Sequence, residues 1–161
     1  MQYSQGHIGR VFTIRFDDGE DLLTELRRFV RAVDVQTGTI QLLGALREGQ
    51  LVTGPKEPVI PPVPHHENIY GGWELLGFGT VYPGTEGPSI HLHAAAGRGI
   101  TSLTGCLRNT VGVYLVVEAI LTEFIGIQAV RLPDEKTGVS LPVFERTLEP
   151  EPPGEPGAEQ P

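Results

Sequence analysis

One segment of this chain has the periodicity of an amphipathic helix, and the segments around it alternate as strands do. From Leu22 to Val33, apolar side chains recur every three or four residues. By contrast, Gly9 to Phe16 alternates apolar and polar residues, and Val111 to Phe124 is rich in β-branched and aromatic residues. Because a single helix needs a sheet to cover its apolar face, the sequence predicts an α+β fold. We expect a mostly antiparallel β-sheet of about seven or eight strands with one main helix.

Two stretches depart from this pattern and define the predicted domain organisation. Residues 54–72 contain five prolines followed by His65-His66-Glu67, which predicts a long irregular loop. Residues 147–161 consist mainly of Pro, Gly and Glu, and they lack the apolar surface that would offset the entropy of ordering them. We therefore predict one folded domain over residues 1–146 and a disordered acidic tail over residues 147–161.

The clearest chemical signal is the pair His91 and His93. Alternate side chains on a strand share a face, so the two imidazoles are predicted to point the same way. A short hairpin then returns the chain and brings Cys106 opposite the region from Ile90 to Leu92. Two imidazoles and a thiolate are ligands for Zn²⁺ or another divalent transition metal, and three protein ligands leave one position open. The strand register decides whether Cys106 shares their face, and the alternative is two structural histidines beside a buried core thiol.

Two glutamates within apolar strand segments are the candidate catalytic residues. Glu74 lies in WELLG and Glu118 in VVEAI. A carboxylate among apolar neighbours is costly unless it is paired or faces solvent. Close to a metal, either residue would act as a general base or orient a ligating histidine. The alternative for each is an outward-facing residue or a salt bridge at a subunit interface. His65-His66-Glu67 is interpreted as a solvated loop, and the alternative is that it completes a site on its own or a neighbouring subunit.

The charge of the chain disfavours a protein that binds nucleic acid by neutralising phosphates. Four glutamates after Leu148 account for half of the formal net charge of −8, which leaves −4 for the rest of the chain. Binding to DNA is therefore possible but not favoured. The single cysteine excludes an intrachain disulfide. No secretory leader or apolar run of membrane-spanning length is present, which predicts a cytoplasmic protein with no membrane partner.

These segments resemble a known family in their order along the chain. GRVFTIRFDDGEDLLTELRRFV is followed by IQLLGAL, WELLGFGTVYP, IHLHAAAGRG, TGCL and VVEAIL, all between Gly9 and Phe144. The sequence resembles the plant and prokaryote conserved domain, also called the PPC or DUF296 domain. This resemblance implies an α+β fold and a homotrimer.

The resemblance also bears on the metal site and on DNA binding. Many prokaryotic members of the family carry H-x-H and then G-G-H-L, whose three histidines hold a metal. Here Cys106 stands at the third position, so the implied ligand set is His91, His93 and Cys106. In plants the domain accompanies an AT-hook, and no such segment occurs in this chain. The DNA-binding label that bacterial members often carry would therefore rest on fold analogy.

Three functions follow as hypotheses. The first is a trimeric metal-binding protein that binds or acts on an unknown small molecule at a subunit interface, with zinc as the expected metal. The second is a DNA-associated regulator. The third is an oligomerisation or partner-binding module without catalysis. Whether the chain is an enzyme is left open by its sequence.

Overall fold

The computed structural model describes residues 1–148, which form one helix and nine strands. In chain order these are β1 Gln2–Tyr3, β2 His7–Asp17, α1 Leu22–Ala32, β3 Gly38–Pro55, β4 Pro64–Gly84, β5 Gly87–Arg98, β6 Thr101–Ile125, β7 Ala129–Asp134, β8 Val139–Phe144 and β9 Arg146–Thr147. All strand pairs are antiparallel, so the predicted α+β class is confirmed. The two-residue strands β1 and β9 raise the number of strands above the prediction.

The predicted tail meets the described residues only at its start. Thr147 was expected to begin the disordered tail, but it pairs with Gln2 in the short sheet of β1 and β9. The backbone N–H of Leu148 also donates to the carbonyl of Met1, at 2.8 Å. The rest of the predicted tail, residues 149–161, lies outside the described residues.

The main sheet has the strand order β2-β6-β3-β4-β5, and β5 also pairs with the first part of β6. Strand β6 is 25 residues long and extends the strand pattern seen from Val111 to Phe124 back to Thr101. Asn109 and Leu115 have positive φ angles of 56° and 59°, and the β3–β6 register shifts nearby. These irregularities interrupt the apolar pattern without ending the strand.

The predicted loop over residues 54–72 is wrong in its second half. Strand β4 begins at Pro64, and Val52 of β3 pairs with His66. The prolines occupy positions 55–64, whereas the residues after them have free amides and continue the ladder with β3. The irregular loop between β3 and β4 is therefore limited to residues 56–63.

Helix α1 covers one face of the main sheet. Its side chains at Leu22, Leu23, Leu26 and Val30 are buried, as the helical periodicity predicted. They pack in one core with inner-face strand residues, which include Ile40, Leu42, Leu46, Leu75, Val81, Leu92, Val117 and Leu121. Burial of these two apolar surfaces against each other is the main source of the domain's stability.

Asp21 fixes the start of α1, and its replacement is expected to lower stability. Its carboxylate accepts hydrogen bonds from the backbone N–H of Thr24 at 2.9 Å and of Val111 at 2.7 Å. Asp21→Ala loses the helix N-cap and leaves the amide of Val111 without that acceptor. We expect the free energy of unfolding to fall by about 2 kcal/mol in urea titration. Asp21→Asn keeps one acceptor oxygen, so its free energy of unfolding should lie between those of Asp21→Ala and the parent. Equal stability of Asp21→Ala and the parent would contradict this role.

An ion pair between Arg10 and Glu123 is expected to make stability depend on pH. The buried Glu123 carboxylate accepts hydrogen bonds from Nε and Nη2 of Arg10, both at 2.7 Å, and these hold the pKa of Glu123 below its ordinary range. A carboxyl with a lowered pKa in the folded state stabilises the fold at neutral pH. This contribution is lost as the pH falls below the ordinary value of 4.5 and through the folded-state pKa.

Urea titrations at several pH values will measure this effect. Glu123→Gln should be less stable than the parent at pH 7, and the difference should narrow steadily below about pH 4.5. A stability difference that does not change with pH would show that the ionised form of Glu123 is not what matters.

The other face of the main sheet carries large exposed apolar side chains. Leu43 pairs with Leu76, while Gln41 pairs with both Phe78 and Ile120, so these side chains project from one face. Leu43, Leu76, Phe78 and Ile120 are each between 41% and 67% exposed. We call these four residues the open face.

Candidate metal centre

Strand alternation places His91 and His93 on a continuation of the open face. His93 pairs with Phe78 and His91 with Thr80, so both imidazoles project from the same side as Phe78. Their Nε2 atoms are 3.2 Å apart, and the two rings are nearly perpendicular at 88°. The structure thus brings the two histidines together on one face, as β periodicity predicts.

The β5–β6 hairpin brings Cys106 to these histidines. Cys106 pairs directly with His93, one position beyond the range from Ile90 to Leu92 that the sequence suggested. The difference arises because the turn consists of Gly99 and Ile100 alone, which fixes the register. As a cross-strand partner, Cys106 shares the face of His93, and one ligand atom from each of the three residues lies within 4.8 Å of the others. We call His91, His93 and Cys106 the trio.

Gly105 allows strands β3 and β6 to approach closely beside the trio. A Cβ atom at this position would overlap the carbonyl oxygen of Val52 and would lie 2.7 Å from its carbonyl carbon. Val52 is also the β3 partner of Cys106. The absence of a side chain at Gly105 therefore sets the backbone position from which the thiol projects.

The local electrostatics favour a neutral imidazole and a protonated thiol before any metal binds. Burial lowers the pKa of His91, and electrostatic repulsion from the neighbouring His93, Arg131 and Arg108 lowers it further. Burial raises the pKa of the Cys106 thiol, with Arg108 acting in the opposite direction. A neutral imidazole is ready to coordinate, whereas the thiol would release its proton on binding a metal.

The donor set fits a borderline-soft divalent ion. Two imidazole nitrogens at about 2.0–2.1 Å from one tetrahedral Zn²⁺ lie roughly 3.3 Å apart. The Nε2 atoms of His91 and His93 are 3.2 Å apart, so these two residues already have that spacing. A thiolate beside two imidazoles favours zinc over hard ions such as Mg²⁺ or Ca²⁺, which prefer oxygen ligands.

A groove of about 660 Å³ opens over the trio. Its floor follows the ladder across four strands, since Cys106 pairs with both His93 and Val52, and Val52 pairs with His66. Its walls come from the end of β3, the start of β4 and the connection between them, and from the turn between β7 and β8 with the start of β8. These residues are Gly54, Pro55, Pro62, Pro64, Gly138 and Val139.

The polar cluster at the end of the proline-rich segment divides between two environments. His66 lines the groove, whereas His65 lies 3.3 Å from the hydroxyl of Thr53 and 3.4 Å from the carboxylate of Glu67. The sequence interpretation of a solvated loop missed both the strand and the position of His66. Alternation within His65-His66-Glu67 is the signal that would have separated them.

The two candidate catalytic glutamates do not lie beside the trio within one chain. Glu74 pairs with Gly97, four residues along β5 from His93 and therefore about 13 Å away. Glu118 pairs with Leu43 at the opposite end of β6 from Cys106. Both side chains are exposed on the same face as Leu76 and Leu43.

The sequence of the chain identifies its family. Residues 3–125 match the model of the Plants and Prokaryotes Conserved (PCC) domain, which is more than half of the chain. The chain belongs to this family. Within the PCC domain, the match includes the trio and ends with β6, so β7 and β8 lie beyond it. No curated protein matches the chain significantly.

Solved structures share the PCC fold. A metal-containing protein of Archaeoglobus fulgidus aligns with a TM-score of 0.77 and 22% identity, covering 88% of this chain and 98% of its own. A PPC protein of Pyrococcus horikoshii aligns with a TM-score of 0.77 and 24% identity over 92% and 100% of the two chains. A structure from Bacteroides thetaiotaomicron, named a putative DNA binding protein, aligns with a TM-score of 0.71 and 21% identity, covering 91% of this chain and 100% of its own. At these identities the likeness establishes the fold.

Among residues 1–148, no helix is both long enough and apolar enough to cross a bilayer.

Proposed function

We propose that this PCC-domain protein binds a divalent transition metal, with zinc as the expected ion, through His91, His93 and Cys106. The convergence of three ligand atoms within 4.8 Å carries this proposal. It is supported by the donor chemistry, by the spacing of the two imidazoles, and by the metal-containing neighbour from Archaeoglobus fulgidus. The protein would present the metal's open position to a small molecule in the adjoining groove.

Each part of this chain would have a separate task in such a site. A bound zinc ion would supply Lewis acidity at its open position. His91 and His93 would hold it from β5, and Cys106 would balance part of its charge from β6. The single cysteine is a free, buried thiol, and free thiols are typical of proteins in a reducing compartment. We therefore also propose a cytoplasmic location.

Elemental analysis of the purified, untagged protein tests the metal proposal. We expect about one zinc per chain after dialysis against a zinc buffer, and loss of most of it in His91→Ala and Cys106→Ala. Circular dichroism checks that both variants remain folded. An unchanged zinc content in both folded variants, or no zinc in the parent after zinc is added, would refute the proposal.

We further propose that the open face is covered in a homotrimer, which would place the site at a subunit interface. Four large apolar side chains exposed on one sheet face form a surface typical of an association site. Glu74 and Glu118 lie on that same face. A role for either glutamate at the metal therefore requires that it approach from a second copy of the chain.

Light scattering during size-exclusion chromatography tests the assembly. We expect three times the chain mass of 17.4 kDa for the parent and a smaller species for Leu76→Glu. Ile100→Glu changes an aliphatic residue that is even more exposed than Leu76, at the tip of the β5–β6 hairpin and outside the open face, and should remain trimeric. A monomeric parent would contradict the proposal.

DNA binding is the second candidate, favoured by the name of the neighbour from Bacteroides thetaiotaomicron. The net charge of −8 opposes it. If this function were correct, duplex affinity would fall steeply as salt increases, because phosphate contacts release counterions. No duplex binding in a low-salt mobility-shift assay would exclude this candidate.

A further inference from the structure

The groove over the trio is unusual in its charge for so acidic a chain. The protein has 20 Asp and Glu against 12 Lys and Arg. Among the described residues that line the groove there is no carboxylate, whereas Arg108 and His66 join the trio there. Because no carboxylate and one arginine line it, the groove is electrostatically suited to an anion, although the protein as a whole is acidic.

Arg108 is placed to act together with the trio. It follows Cys106 by two residues on β6, and the pairing with β3 is regular between them, since Gln50, Leu51 and Val52 face residues 108, 107 and 106 in turn. The side chains of Arg108 and Cys106 therefore project from the same face, with Cα atoms about 7 Å apart. An arginine side chain is long enough to span this separation, and both residues line the groove.

The guanidinium of Arg108 is free to take a ligand. It is exposed, and among residues 1–148 no carboxylate lies within ion-pair distance of it. Arg131 is also near the trio, but it is buried and already donates to the hydroxyl of Thr80 and the carbonyl of Ser140. Arg108 is thus the one arginine among the described residues that line the groove, and its guanidinium is available as a bidentate donor.

The walls of the groove are apolar. Val52, Pro55, Pro62, Pro64 and Val139 line it, and its volume of about 660 Å³ lies within the range of small-molecule sites. A mostly apolar cleft with a few polar groups at one end orients a ligand that has an apolar body and one polar head.

We propose that the groove binds a small carboxylate with an apolar body, whose carboxylate is held by Arg108 beside the metal's open position. One free guanidinium matches one carboxylate through two parallel hydrogen bonds, and the apolar body lies along the proline-lined walls. This inference names the ligand class of the proposed metal site and rests on that proposal.

Calorimetric titration of the zinc-loaded protein tests this ligand class. The probes are hexanoate and 4-phenylbutyrate, each compared with its neutral amide, which has nearly the same shape. The variants are Arg108→Gln and Arg28→Gln, which make the same charge change at the groove and on the exposed surface of α1. Zinc content is measured first for every sample.

We expect the parent and Arg28→Gln to bind at least one acid about tenfold more tightly than its amide. Arg108→Gln should retain its zinc and lose most of this preference, because the guanidinium makes charge-assisted hydrogen bonds to a carboxylate that a neutral amide does not match. Equal binding of acids and amides by the parent, including no binding of either, would overturn the inference, as would an unchanged preference in Arg108→Gln.

Failure of the metal proposal can be distinguished from failure of the carboxylate inference. The parent would then contain no zinc, while the comparison of acid with amide on the metal-free protein would still decide whether Arg108 binds a carboxylate.

Discussion

Saturating zinc is expected to raise the free energy of unfolding by about 4 kcal/mol when free zinc is one thousand times its dissociation constant. The trio is assembled only in the folded chain, because His91 and His93 require the strand and Cys106 requires the β5–β6 register. A metal held by all three therefore stabilises the folded state and not the unfolded chain. Thermal unfolding with zinc or with a chelator will measure the difference.

The effect should depend on the trio and on no other histidine. His93→Ala removes the residue that pairs with Cys106, so zinc should no longer raise its unfolding temperature appreciably. His7→Ala changes an exposed histidine at the start of β2 and should respond to zinc as the parent does. Equal zinc stabilisation of the parent and His93→Ala would place the metal elsewhere.

Gly105→Ala is expected to lower the free energy of unfolding by about 2–3 kcal/mol and to weaken zinc binding. The new methyl group would overlap the carbonyl oxygen of Val52, which forces β3 and β6 apart. Since Val52 pairs with Cys106, this displacement also moves the thiol away from the histidines. Urea unfolding without metal and competition with a chromogenic zinc chelator will measure the two effects separately.

Gly97→Ala is the matched control. Gly97 also lies in a strand near the same hairpin, but an added Cβ there has no atom within 4 Å. We expect it to change neither stability nor zinc affinity by a measurable amount. If both alanine variants behave like the parent, close packing at Gly105 does not hold the site together.

Local periodicity was sufficient to predict the parts of the fold that depend on neighbouring residues. The helix followed from the apolar spacing between Leu22 and Val33, and the shared face of His91 and His93 followed from the alternation of a strand. The position of Cys106 was one register step outside the expected range. Its face depended on how many residues form the turn, which composition does not determine.

The groove could not be predicted because distant segments form it. Val52 and His66 meet Cys106 only through the pairing of β3 with β4 and β6, and the proline content suggested a loop where part of β4 exists. Arg108 carries a local signal, since it is two residues after Cys106 on one strand. It lies in no run of adjacent basic residues in an acidic chain, so net charge and local composition do not point to it.

The same reasoning explains why Glu74 and Glu118 were attractive candidates. Each lies in an apolar sequence segment, which suggested burial near a site. Both project from the open face, whose exposure in one chain was not visible from composition. A strand that is buried on one face and apolar on the other has the same sequence pattern as a strand buried on both.

The visible and near-ultraviolet spectrum of the cobalt-substituted protein tests the ligand set most directly. Co²⁺ adopts the geometry of zinc at such sites, and a thiolate ligand adds a charge-transfer band. Coordination by the trio predicts intense tetrahedral bands together with a thiolate band that disappears in Cys106→Ser. A weak octahedral spectrum without a thiolate band, in a parent that is folded and saturated with cobalt, would contradict coordination by His91, His93 and Cys106.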